Sequence, residues 1–208
     1  MEDEKGKFKR GLQIALILLF IIWAIKIIEI FFGISFIHLG VLPRHISGIP
    51  GIFLFPFIHS GFQHLISNSF PLLLLITAMF YFYPSSSFKV LILIYFFSGT
   101  LVWLFARESY HIGASGVVYG LISFTFFSGI IRWDRRSIVL SLIVTFLYGG
   151  FTWGVLPIDE KISWEGHLAG ALIGIACAFL FRKSDPYDKF AGMDTEDDLS
   201  ETLEGDNK

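Results

Sequence analysis

Charge is scarce in this chain. Asp, Glu, Lys and Arg together make up 16% of its 208 residues, against about 25% in an average soluble domain. That shortage argues against a fully water-solvated surface. Cysteine is nearly absent as well. Cys177 stands alone, so no disulfide framework can form within the chain, and its place in an apolar run reads as packing rather than a catalytic thiol. No small-x-small cleavage site follows the first apolar run, which exceeds about 20 residues, so the run reads as a retained membrane helix and not a cleaved signal peptide. The apolar runs show no two-residue alternation, which argues against a β-barrel, and no internal repeat is evident. What is abundant is hydrophobicity: 54% of residues are apolar and the mean hydropathy is +0.66. The length suits one domain.

The apolar residues gather into segments near 11–32, 62–83, 90–106, 114–131, 137–156 and 166–182. Each is close to the ~20 residues that cross a ~30 Å hydrocarbon core. Backbone groups in lipid must bond within their own segment, so these runs are helices. The expectation is an all-α membrane protein, a bundle of six transmembrane helices. Lys5, Lys7, Lys9, Arg10, Lys89, Arg132, Arg135, Arg136, Arg182 and Lys183 fall on one side if the helices alternate, and Arg44, Arg107 and Lys161 on the other. The positive-inside bias then puts both termini in the cytoplasm. The chain divides into a basic N-terminus (1–10), a membrane domain (11–182) and an acidic, disordered cytoplasmic tail (183–208). Residues 33–61 form a long, apolar, Gly- and Pro-containing connection, expected to lie partly in the interface. Lys26 and Glu29, three apart on one face of the first segment, are expected near its outer end, where the lysine snorkels and the pair is partly wet.

Polar side chains at membrane depth are costly and so ask for a reason. His59 and His64 lie at the start of the second segment, with Asn68 one turn below His64 on the same face. Ser115 opens the fourth segment within Gly113-Ala-Ser-Gly116, and His167 opens the sixth. The second, fourth and sixth helices all enter from the outer face, so these residues share one layer. A serine hydroxyl needs a neighbouring base to become a nucleophile, and His167 is the candidate. The Ser115 amide stands at a helix N-terminus, where unpaired N–H groups and the positive dipole end favour an oxyanion. His64 and Asn68 could donate to the same oxyanion. Gly116 and Gly120 on the fourth helix, with Gly166, Gly170 and Gly174 on the sixth, have the four-residue spacing that lets membrane helices approach closely. Tyr119, one turn below Ser115, could pack on the imidazole. No carboxylate obviously completes a triad. Glu165 is near His167 but is not assigned, so the site reads as a Ser–His dyad.

At these residues the sequence resembles the rhomboid family of intramembrane serine proteases. Gly113-Ala-Ser115-Gly116 followed by Val-Val-Tyr119 is similar to the family's G-x-S-G-x-x-Y motif. His59-x4-His64-x3-Asn68 is similar to its helix-2 motif, and Gly166-His167-x2-Gly170-x3-Gly174 to its helix-6 motif. The resemblance implies Ser115 as nucleophile and His167 as general base and acid, with His64, Asn68 and the Ser115 amide as the oxyanion site. It implies that Tyr119 stacks on His167 and that His59 ties the first outer loop to the second helix. It implies transmembrane protein substrates cut near their outer ends, with the fifth helix and the following loop gating lateral access. Phe151 and Trp153 are the gate candidates. No metal, cofactor or nucleic acid is implied. The short chain without an organelle presequence suggests a bacterial cytoplasmic membrane. The Trp-Arg pair common in the first outer loop of bacterial members is missing, and Arg44 follows Pro43 instead.

Three other readings compete. A rhomboid-like protein that has lost proteolysis could serve as a membrane chaperone or binding protein, but such proteins usually lack Ser or His. A metal hydrolase using His59, His64 and His167 would have Asn68, a poor ligand, and no accompanying Glu or Asp. A transporter would place its polar groups near the midplane or on broken helices rather than near one face.

Overall fold

Lipid offers no hydrogen-bond partner to a backbone, and this chain meets that constraint with helices almost throughout. The computed structural model describes residues 3–158 and 162–186. Its helices are α1 (Glu4–Phe32), the one-turn α2 (Gly51–Leu54), α3 (Phe62–Phe82), α4 (Ser87–Phe105), α5 (Ser115–Arg132), α6 (Arg135–Tyr148) and α7 (Trp164–Leu180). Among the described residues there is no β-strand, only an isolated bridge between Val41 and His111. Among the described residues, five stretches are long and apolar enough to cross a membrane: α1, α3, α4, α5 and Arg135–Val155, which continues α6 through a 3-10 turn. The sixth, α7, is shorter at 17 residues.

The two largest departures from the expected boundaries have local reasons. α1 begins upstream of its apolar run because the Asp3 side chain accepts the Gly6 amide at 2.7 Å and caps it. The fifth segment, expected as one helix to residue 156, is α-helical only to Tyr148. Gly149 and Gly150 follow, and the chain tightens into a 3-10 stretch, Gly149–Val155.

α5 is the best buried of the long helices, while α1 and α6 are mostly exposed. Their bare faces carry Ile17, Phe20 and Phe31, and Leu142 and Phe146, as lipid-facing surfaces do. The most extensive helix–helix contact described is between α5 and α7, and it is made of backbone. A Cβ added at Gly170 would overlap the Gly116 carbonyl, and one at Gly174 would overlap the Gly120 carbonyl. From the other side, Cβ atoms at Gly116 and Gly120 would stand 3.1 Å from the carbonyl oxygens of Gly166 and Gly170.

The connection 33–61 is folded rather than loosely interfacial. It makes short helical turns at Ile37–Leu39, Ile46–Gly48 and Gly51–Phe57. It also pairs with the stretch before α5, Val41 N–H donating to His111 C=O at 3.0 Å and His111 N–H returning to Val41 C=O at 2.9 Å. Arg44, at positive φ, donates from its side chain to Ala106 C=O at 2.7 Å. The Lys26–Glu29 pair is not partly wet as expected. It is closed at 3.0 Å with side chains only 12% and 4% exposed. The loop covers it: Lys26 donates to His59 C=O at 2.9 Å, and Glu29 accepts the Phe36 amide at 2.6 Å.

At the other end of the bundle, Arg132 donates to Asp185 C=O at 2.6 Å and Phe181 C=O at 2.8 Å, with its guanidinium over the Tyr83 ring at 4.8 Å. The Asp185 carboxylate accepts the Ser85 amide and the Ser86 hydroxyl at 2.7 and 2.6 Å. The first residues of the expected tail are therefore docked on α5 and the α3–α4 turn, because a buried arginine demands acceptors. The remaining tail residues and Lys161 lie outside the described residues.

Because the α5–α7 contact leaves no room for a side chain, Gly170→Val is expected to destabilise the detergent-solubilised protein by about 1–3 kcal/mol or more. Gly150→Ala, with open space around its α-carbon, should change little. Thermal unfolding of the two variants beside wild type checks this.

Candidate active site

Ser115 is the first residue of α5, and the residue before it offers no side-chain cap. The amides of the first turn are thus left without helical partners at the positive end of the dipole. The turn leading into Ser115 depends on Gly113, whose φ of 105° is a conformation that side-chain-bearing residues rarely adopt. Two contacts hold it. Gly113 N–H donates to Phe55 C=O at 2.8 Å, and Ala114 N–H points at His59 Nε2 at 3.5 Å.

His59 is only 1% exposed. Burial is the main cause that pushes its pKa down to about 3. The neighbouring His64 and Lys26 push the same way, and the Phe57 carbonyl partly opposes them. The ring is therefore neutral and free to accept at Nε2. His59 was expected to tie the first loop to the second helix, but its ring reaches further, to the serine turn itself. His64 stands edge-on to it, ring centroids 5.0 Å apart. Its Nδ1 is 3.2 Å from Ser60 Oγ, and a Cβ at Gly113 would stand 2.6 Å from its Nε2. The Nε2 edge of His64 thus faces the turn that carries Ser115. Asn68 is buried one turn below and donates to His64 C=O at 3.0 Å, which uses one of its two amide hydrogens.

His167 projects from the first turns of α7, 8% exposed. Its Nε2 is 2.9 Å from Ser115 Oγ, and its Nδ1 is 2.8 Å from Gly154 C=O. Tyr119 stacks on the imidazole with centroids 4.1 Å apart and planes 8° apart. Phe151 packs on the Tyr119 ring at 5.4 Å, whereas Trp153 is 68% exposed. Of the two gate candidates, Phe151 is thus packed against a ring of the site and Trp153 is largely exposed. Gly116 and Gly170 lie directly beneath the Ser–His pair, and Gly174 one turn deeper.

The start of α7 is itself anchored. Ser163 Oγ accepts the Gly166 amide at 3.3 Å and lies 2.6 Å from His111 Nδ1, while His111 Nε2 donates to Arg107 C=O at 3.0 Å. Burial lowers the His111 pKa, which suits the neutral ring this chain of bonds requires. Glu165 pairs with Arg107 at 3.6 Å. Sequence reasoning missed three residues here: Gly154, Ser60 and His111. The first acts through its carbonyl, which every residue has. Ser60 and His111 gain their partners only when distant segments meet, so no local signal marks them.

An all-helical integral membrane protein with a serine–histidine contact at one end of a glycine-locked helix pair is a narrow class. The Rhomboid domain family profile matches residues 47–184. The chain belongs to the rhomboid family. It is 32% identical over 150 residues to uncharacterized proteins of Mycobacterium bovis and Mycobacterium tuberculosis, a match covering 68% of this chain and 62% of each relative. It is also 32% identical over 142 residues to one from Mycobacterium leprae, covering 62% of this chain and 55% of that protein. These matches span less than two thirds of the relatives' own length.

His59 makes stability depend on pH. Between about pH 3 and its ordinary value of 6.5 the folded ring binds no proton while the unfolded one does, so stability rises with pH across that window and is lost on acidification. The slope from this one group is up to ~1.4 kcal/mol per pH unit. His59→Gln keeps an acceptor but cannot titrate. Its thermal midpoint should fall less steeply between pH 6.5 and 4 than that of wild type.

Proposed function

We propose that the protein is an intramembrane serine endopeptidase that cleaves transmembrane segments of other membrane proteins. The observation that carries this reading is the 2.9 Å contact between Ser115 Oγ and His167 Nε2, made by two helices that their glycines hold in fixed register. Ser115 Oγ attacks the scissile carbonyl carbon as His167 Nε2 takes its proton. The carbonyl oxygen becomes an oxyanion, received by the Ser115 amide and by donors from His64 and Asn68. The intermediate collapses, the C–N bond breaks, and His167 returns the proton to the leaving amine. Water, deprotonated by the same imidazole, then releases the acyl group from Ser115.

The positive-inside bias supports both termini in the cytoplasm, with the site near the outer face and substrates cut toward their outer ends. The mycobacterial relatives support a bacterial cytoplasmic membrane. The break after α6 and the contact of Phe151 with Tyr119 support lateral access of substrate beside that segment.

The test is cleavage of a model transmembrane substrate in liposomes. Ser115→Ala and His167→Ala should each lower the rate by at least ~10³-fold with the fold intact. His64→Ala or Asn68→Ala should cost about 10–10³-fold. Undiminished cleavage by Ser115→Ala would remove the nucleophile and with it the reading.

A further inference from the structure

A serine–histidine dyad lacks the carboxylate that fixes the imidazole of a triad, yet the base must still present an unprotonated nitrogen to the serine. We propose that Gly154 is the positioning residue that supplies this function, through its backbone carbonyl. The inference rests on the protease reading above and deepens it.

The geometry is specific. His167 Nδ1 lies 2.8 Å from Gly154 C=O, and Nε2 lies 2.9 Å from Ser115 Oγ. A carbonyl only accepts, so Nδ1 carries the hydrogen and Nε2 keeps its lone pair for the serine hydroxyl. The same carbonyl stays bonded when the ring takes the second proton, so it accommodates the imidazolium without reorganising. Tyr119 fixes the ring plane by stacking, and the carbonyl fixes rotation within that plane. Together they leave the imidazole one orientation and one tautomer.

The residue must also be glycine, for want of space rather than for backbone freedom. Gly154 does not adopt a positive φ. A Cβ there would overlap the Tyr119 hydroxyl, stand 2.9 Å from Tyr119 Cζ and 3.2 Å from His167 Nδ1 itself. Any side chain would press on both rings at once and move the carbonyl off the nitrogen. The nearby Gly149 and Gly150 have open space around them, so the requirement belongs to position 154 and not to a glycine-rich segment in general.

Gly154→Ala is expected to lower kcat by about 10²-fold with little change in KM, as a small displacement of the base does. Adding Tyr119→Phe, which removes the overlapped oxygen, should recover part of that loss relative to Gly154→Ala alone. A purely structural role would not predict such rescue. The direct readout is the imidazole nitrogen spectrum of ¹⁵N-histidine-labelled protein in micelles, with His167 assigned by comparison with His167→Gln. Wild type should show His167 protonated at Nδ1 only, and Gly154→Ala a mixture of tautomers. An Nε2-protonated His167 in wild type would overturn the proposal, as would a Gly154→Ala variant of wild-type activity or one with an unchanged imidazole spectrum. If Gly154→Ala does not fold, the wild-type tautomer and the double variant still decide. A wild type that neither cleaves substrate nor reacts with a fluorophosphonate would sink the protease reading, while the spectrum would still report whether Gly154 positions the ring.

Discussion

Everything at the proposed site hangs on the contact of α5 with α7. In lipid, two apolar helices gain little by exchanging lipid contacts for each other, so close packing must supply the association. Here the packing is backbone on backbone, with Gly170 and Gly174 set against the carbonyls of Gly116 and Gly120. This leaves almost no freedom in separation or register. Ser115 and His167 stand just above that seam, and their 2.9 Å approach follows from it. Larger side chains along the seam would separate the helices, and the hydroxyl and imidazole would no longer meet.

Around this fixed pair the structure uses polar groups sparingly and ties several of them to neighbours. His59 and the Phe55 carbonyl hold the serine turn, Ser60 engages His64, and Ser163 with His111 anchors the start of α7. Lys26 and Glu29 fasten the first connection to α1. In each case a group that would be costly alone at this depth is bonded to a backbone atom or to a neighbour, which keeps its cost low and makes it a structural tie. The first connection is thus a folded cover over the site-bearing end of the bundle. The cluster of Arg132 and Asp185 does the corresponding work at the opposite end.

The helices were legible because lipid leaves a long apolar run no alternative, and the glycine spacing on the fourth and sixth segments foretold their close approach. Alternating topology put Ser115 and His167 in one layer, and the four-residue spacing of Tyr119 from Ser115 put its ring one turn deeper on the same face. Other features were not legible. The end of α6 at Tyr148 and the 3-10 stretch after it interrupt an unbroken apolar run, with Gly149 and Gly150 as the only local hint. The Lys26–Glu29 pair read as wet because its cover comes from residues 36 and 59–60, far along the chain.

The sequence by itself determined that this is a helical membrane protein and nominated the residues proposed to do its chemistry. Those follow from hydrophobicity, spacing and the rarity of polar groups in apolar runs. Only the tertiary structure decided what orients them. The Gly154 carbonyl, the Ser60 hydroxyl and the neutral ring of His59 act through atoms whose partners lie on other segments. A backbone carbonyl has no sequence signature, since every residue carries one and only folding decides which of them an imidazole will find.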